Sequence, residues 1–317
     1  MKRIAIIVAI LGIAAIGFIY LLVPSAILIS HESKVIVSRS GIKDCLHKLE
    51  KWKQWWPKDS LAGAGFAADS GFKYERVNYK LSRPVSDGAE VLLEYEDLQI
   101  PSRILIVPGL NDTVTMVWSA DIESGYNPVL RLKNYLVAKK IKNSMSPVLE
   151  SLSSYAAKTE NIYGVPIVRS TFLDSILVVT KFTAEREPTT DEIYESIDKL
   201  RTYAKTQDAR EVDFPMLNTK QTDDGKYETM IAVCIDRLIP NSNDYSVVRM
   251  VNMKDRFLRT EVTGGVNSVK QGHQAIVQYM DDHKLSPPGR PFEILVTDRK
   301  SEPDTTKWKT IIYHPSM

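Results

Sequence analysis

The chain lacks most of the signatures that make a function readable. Two cysteines, Cys45 and Cys234, are all that occur in 317 residues. An oxidising compartment permits a disulfide between them, but Cys45 falls on the apolar face of a helical pattern and Cys234 in a β-type run, so two separate buried thiols are expected. The formal net charge is only +2, and no basic stripe with interleaved aromatics occurs, which argues against nucleic acid as a partner. No low-complexity tract or long charge run marks a disordered tail. A Gly-x-Ser-x-Gly elbow, a phosphate-binding loop and a His-Glu-x-x-His zinc motif are all missing. His273 and His283 lie ten residues apart on one helical pattern without an evident partner ligand, so both read as ordinary surface or core histidines. Gly264-Gly265 reads as a plain turn before a helix capped by Asn267 or Ser268, because no strand-to-helix phosphate fingerprint surrounds it. No catalytic residue, metal ligand or cofactor follows.

What is present begins at the amino terminus, where Ile4 to Val23 is uninterrupted by any charge. A bilayer-crossing helix needs roughly 20 apolar residues, and Lys2 and Arg3 precede the run on the side the positive-inside bias assigns to the cytoplasm. The expectation is a transmembrane signal anchor over residues 1–30, with everything after it outside the cytoplasm, in the periplasm if the cell is Gram-negative. A cleaved signal peptide is the competing reading, but its apolar stretch is shorter, roughly 7–15 residues.

The most informative pattern is an internal echo. KWKTIIYHPS, from Lys307 to Ser316, repeats KYETMIAVCI, from Lys226 to Ile235, at an offset of 81 residues, so that Tyr227 answers Trp308 and Ile231 answers Ile312. Upstream, Pro215-Met216-Leu217 answers Pro291-Phe292-Glu293. Each stretch follows a helical pattern that itself follows a β-type run, which implies two copies of a strand-helix-strand-strand unit. Each copy alone leaves a sheet face uncovered, so the two are expected side by side about a pseudo-twofold axis, with a ligand cleft at that axis.

Between anchor and echo, a short helix with apolar Ile42, Cys45, Leu46, Leu49 and Trp52 ends at Pro57. Alternating β-type runs follow up to Ile122, then a long helical stretch from Pro128 to about Lys158. That order of elements, with the aromatic helix end Trp52-Lys53-Gln54-Trp55-Trp56-Pro57, resembles the START-like, polyketide-cyclase (SRPBCC) superfamily, and the resemblance assigns residues 31–160 to a helix-grip domain. Residues 161–317 follow a linker at Asn161 to Gly164, carry a capping box at Thr189 to Glu192, and include the stretch GGVNSVKQGHQAIVQYMDDHKLSPPGRPFEILVTD. This stretch resembles the GyrI-like effector-binding domain found in multidrug-sensing regulators. The expected fold is therefore α+β: a transmembrane helix, a START-like domain, then a duplicated β-α-β-β domain with pseudo-twofold symmetry.

The GyrI-like resemblance implies that Glu293 is the ligand-facing acid, although Leu295 stands where the family often has tyrosine. Independently, Glu293 is a single carboxylate among Phe292, Ile294, Leu295 and Val296, a setting where a charge is costly without a partner, and its counterpart Leu217 is apolar. Aromatic walls for a flat or cationic ligand could come from Trp308, Tyr227, Tyr279, Tyr313 and Tyr203. Trp52, Trp55 and Trp56 either rim a lipid or hydrophobic cavity, close their helix onto the sheet, or sit near the membrane surface. The function expected is non-catalytic binding of small hydrophobic or cationic molecules. The alternatives are a hydrolase of small electrophiles with Glu293 as base and a partner-binding envelope protein.

Overall fold

The longer strands in the amino-terminal part of the chain alternate between buried and exposed side chains, the pattern of a sheet covered on one face. In the computed structural model, which describes residues 2–58, 65–66, 71–110, 112–173, 175–250 and 253–317, these strands belong to the first of two compact units, Met1–Lys158 and Thr159–Met317.

The first unit opens with α1 (Lys2–Leu22) and continues through β1 (Ala26–Ile36), α2 (Arg39–His47), α3 (Leu49–Trp55), β2 (Gly65–Phe66), β3 (Phe72–Tyr74), β4 (Val77–Val85), β5 (Gly88–Tyr95), β6 (Leu98–Pro108), β7 (Thr113–Glu123) and α4 (Pro128–Ala156). The sheet is antiparallel with order β1-β7-β6-β5-β4-β3-β2. Ser38 caps α2, accepting from the Gly41 N–H at 3.1 Å. Trp52, Trp55 and Trp56 are all buried and stack among themselves and on Phe72. Each indole N–H finds a carbonyl: Leu46 at 2.8 Å, Cys45 at 3.0 Å and Lys73 at 2.9 Å respectively. The three rings thus close α2 and α3 onto the sheet. Cys45 and Cys234 are both buried and free.

Among the described residues, no helix is long and apolar enough to cross a membrane. This overturns the expected transmembrane anchor and, with it, the expected single-pass, extracytoplasmic localisation. The end of the apolar run is engaged with protein. The Tyr20 hydroxyl donates to the Tyr126 carbonyl, the Arg131 guanidinium lies 4.9 Å from the Tyr20 ring centre, and Arg131 Nε donates to the carbonyl of buried Val23 at 2.6 Å. Such polar docking shortens the stretch that hydrocarbon could surround.

The second unit comprises α5 (Thr159–Tyr163), β8 (Val168–Phe172), β9 (Ser175–Ala184), α6 (Thr190–Thr206), β10 (Met216–Gln221), β11 (Tyr227–Ile235), β12 (Ser246–Met250), β13 (Met253–Thr263), α7 (Val266–Asp282), β14 (Phe292–Leu295) and β15 (Lys309–Pro315). Its antiparallel sheet has the order β12-β9-β11-β10-β14-β15-β13-β8. Read outward from the β10–β14 contact, the two sides repeat: β10-β11-β9 with α6, and β14-β15-β13 with α7. The apolar faces of both helices cover one side of the sheet, α6 over Leu217, Ile231 and Val233 and α7 over Leu258, Val262 and Ile312. The opposite side carries Phe172, Phe257, Phe292 and Tyr313. The stretch from Asn161 to Gly164, expected as a linker, ends a short helix instead, where Tyr163 packs on Tyr279 with ring centres 5.3 Å apart.

Candidate functional site

The register fixes which residues of the two halves correspond. Leu217 pairs with Ile231 across β10 and β11, and Glu293 pairs with Ile312 across β14 and β15; Ile231 and Ile312 are the 81-residue echo partners. Leu217 and Glu293 therefore hold equivalent places, and they also face each other as cross-strand neighbours at the β10–β14 contact. The helices α6 and α7 are each 17 residues long, and their eighth residues are Ile197 and His273. The same echo carries Val233 onto His314.

Three core residues of the first half are thus replaced by three polar ones in the second. Ile197, Leu217 and Val233 are buried in one apolar cluster. His273, Glu293 and His314 form a hydrogen-bonded chain instead, with His273 Nε2 3.2 Å from Glu293 Oε1 and His273 Nδ1 2.8 Å from His314 Nε2. Gly272 lets α7 lie close enough for this. A Cβ at that position would stand 2.6 Å from Ile312 Cδ1 and 3.0 Å from Val262 Cγ1.

The chain of groups opens into a cleft of about 220 Å³ between α6 and α7, over the β10–β14 contact. Its walls include Thr190 and Ile193 from α6, Lys270 and His273 from α7, and Leu217 and Glu293 from the sheet. Glu293 keeps 15% of its side chain exposed and His273 26%, whereas His314 is buried. Burial, and secondarily the neighbouring His273, push the His314 imidazole down to about 4, so it is neutral near pH 7. Arg299 also lines the cleft. It lies 4.9 Å over the Trp308 ring and donates from Nη2 to Thr310 Oγ1 at 2.9 Å. Burial lowers its affinity for its proton while the Glu293 charge opposes that; a guanidinium stays charged regardless. Two buried atoms of cleft-lining residues, Arg299 Nε and Asn218 Oδ1, have no hydrogen-bond partner within the protein. No group of three metal-ligating side chains occurs among the described residues.

The structure distributes the aromatic candidates unevenly. Trp308 is nearly buried, donates its indole N–H to the Glu302 carbonyl at 2.8 Å and meets the cleft chemistry through Arg299. Tyr313 points to the far side of the sheet, stacked on Phe292 with ring centres 5.2 Å apart. Tyr203 and Tyr279 are each the fourteenth residue of their helices and pack outward, on Tyr245 at 5.0 Å and on Tyr163 at 5.3 Å. Tyr227 sits at the start of β11, opposite Ala184 and Gln221. Glu293 alone of the six enters the cleft directly. Sequence reasoning passed over His273 and His314, although extending the echo that singled out Glu293 would have shown both replacing core aliphatics.

No family model matches the chain, and no curated protein matches it. Among solved structures, it is similar to the EcmrR C-terminal domain, at 11% identity over 48% of this chain and 98% of that one, with a TM-score of 0.42. SAV2435 bound to tetraphenylphosphonium aligns at 20% identity over 48% and 93%, TM-score 0.33. A START superfamily protein from Mycobacterium smegmatis aligns at 17% identity over 40% and 97%, TM-score 0.28.

Proposed function

We propose that the second unit is a small-molecule-binding domain whose ligand lies in the cleft between α6 and α7, with a cationic or polar group on Glu293 and an apolar body against Ile193, Leu217 and Val269. In this reading residues 31–160 form a START-like domain and residues 161–317 a GyrI-like effector-binding domain. What carries it is a carboxylate held partly buried in a cleft at the very place where the other half of the unit has a leucine. A group that is costly to desolvate and dispensable for the fold points to a ligand.

A second reading, hydrolysis of a small electrophile with Glu293 as general base, draws on the hydrogen-bonded Glu293-His273-His314 chain, which could carry a proton away. The aromatic hydroxyl such a reaction would recruit is not at hand, since Tyr313 and Tyr279 are committed to other clusters. Binding is therefore favoured. Glu293→Gln keeps the shape and the acceptor for His273 but removes the charge. Affinity for the lipophilic cation tetraphenylphosphonium, measured by calorimetry on the whole chain, should fall by about 1–3 kcal/mol. Unchanged affinity would eliminate Glu293 as the anchor.

A further inference from the structure

We propose that cation binding in the cleft is linked to one proton: His273, when protonated, serves as an internal cation for Glu293, and a cationic ligand is bound as His273 gives that proton up. The proposal rests on the binding function proposed above and names how that site is regulated.

The geometry suits two states of one imidazole. When His273 is neutral, its Nε2–H donates to Glu293 Oε1 at 3.2 Å, and Nδ1 accepts from the Nε2–H of His314 at 2.8 Å. When His273 is protonated, it donates in both directions and His314 Nε2 becomes the acceptor. The second histidine is the reservoir for neither charge. Buried beneath His273, with its proton affinity lowered to about 4, it stays uncharged near pH 7, and of the two rings only His273 has the Glu293 carboxylate within hydrogen-bond reach.

The charges facing His273 decide whether a proton and a ligand cation can coexist. Glu293 approaches from β14, His314 from β15 and Arg299 from the loop between those strands. Lys270, one turn earlier on α7, is paired at 3.2 Å with Glu187 from the segment before α6. The cleft residues of α6 and β10 named above carry no charge. Arg299 and Lys270 thus balance Glu293 and Glu187, leaving the cleft electrically neutral when His273 is neutral. One cation, from the solvent proton or from a ligand, uses the Glu293 carboxylate. A second cation would meet a net positive charge and no free acid, so the two compete. The fold does not require this arrangement, because Ile197, Leu217 and Val233 fill the same three places in the first half.

The test is calorimetry of tetraphenylphosphonium binding to the whole chain between about pH 5 and 8, the range in which imidazoles change charge, in pairs of buffers with different ionisation enthalpies. The expected result is release of about one proton per cation bound at the acid end, with affinity weakening about tenfold per pH unit there and levelling at the alkaline end. Neutral triphenylphosphine oxide should show no such slope. His273→Gln should bind the cation without proton release. In the unsubstituted protein, the His273 ring resonance followed by NMR should titrate when free and cease to titrate when saturated with the cation, a readout that does not depend on the variant folding. Saturable cation binding with a flat pH profile, or proton release undiminished in His273→Gln, overturns the linkage and leaves the binding site standing. Absence of saturable binding across the whole pH range overturns the site and the linkage together.

Discussion

Replacing the polar trio by its counterparts from the first half gives a prediction whose sign depends on how many of the three are changed. Glu293→Leu alone removes the acceptor of His273 Nε2 and leaves that N–H in a cleft where it keeps 26% exposure. Partial access to water limits the penalty, and a loss of about 1–2 kcal/mol in unfolding free energy is expected. His314→Val alone leaves Nδ1 of His273 unpaired in the more enclosed part of the chain, with a loss of about 2–3 kcal/mol once the void is counted. The triple variant His273→Ile, Glu293→Leu, His314→Val leaves no member of the network behind, and volume removed at His314 is largely returned at Glu293. Substituting a buried polar network by packed aliphatics is neutral or stabilising by about 1–4 kcal/mol. The triple variant should therefore be at least as stable as the original protein, and more stable than either single variant. Equilibrium urea denaturation of the whole chain, with hydrogen exchange of the β14 and β15 amides to isolate the second unit, measures all three. If the triple variant loses the sum of the individual losses to within about 0.5 kcal/mol, the three residues are not one network and the argument fails.

Three further outcomes follow from named contacts. Folded His314 takes its proton near pH 4, against 6.5 for an unperturbed histidine. Between those values the unfolded chain holds more protons, so stability should fall as pH drops through that window, by at most about 3 kcal/mol, and pH-dependent denaturation of His314→Val should lack this contribution. Gly272→Ala gains helix propensity but drives a methyl to within 2.6 Å of buried Ile312; a net loss of about 1–2 kcal/mol is expected, and a raised melting temperature would contradict it. Thr189→Ala removes the side chain that accepts the Glu192 N–H at 3.3 Å and should destabilise by about 1 kcal/mol, seen as faster amide exchange in the first turn of α6.

What was legible in the sequence is what short-range pattern encodes. The capping box at Thr189 is local, and the structure shows both of its hydrogen bonds. The alternation from Thr113 to Ile122 needs only the two-residue period of a strand, and β7 spans it. The amino-terminal apolar run misled because hydropathy counts residues one at a time, whereas Tyr20 and Val23 are committed by Arg131, more than a hundred positions away. The helix start at α7 was misplaced because Gly265 caps it without any side-chain bond, after Gly264 adopts a positive φ of 134° that no propensity argument at Asn267 or Ser268 could anticipate. His273, Glu293 and His314 lie on three elements, and although Glu293 stands out as a lone carboxylate in an apolar strand, the two histidines are unremarkable in their own stretches of sequence. Only their convergence on one cleft makes them a chemical group.

The two halves of the second unit act as each other's control. Both present a helix over a three-stranded wall in the same order, so the backbone alone cannot explain why one half holds Ile197, Leu217 and Val233 and the other His273, Glu293 and His314. The first half shows that this architecture packs well when all three places are aliphatic. Hydrogen bonding satisfies the polar trio without making it better than the aliphatic one, because pairing buried polar groups returns roughly what their desolvation takes away. Stability therefore gives no reason for the substitution, and a difference that stability does not favour, with two of its three members lining the cleft, is best explained by what the cleft admits. The asymmetry also gives the bound molecule a direction. One wall offers Leu217 and Ile193, the other Glu293, His273 and Arg299, so a ligand with one apolar and one charged end can meet both halves in only one orientation.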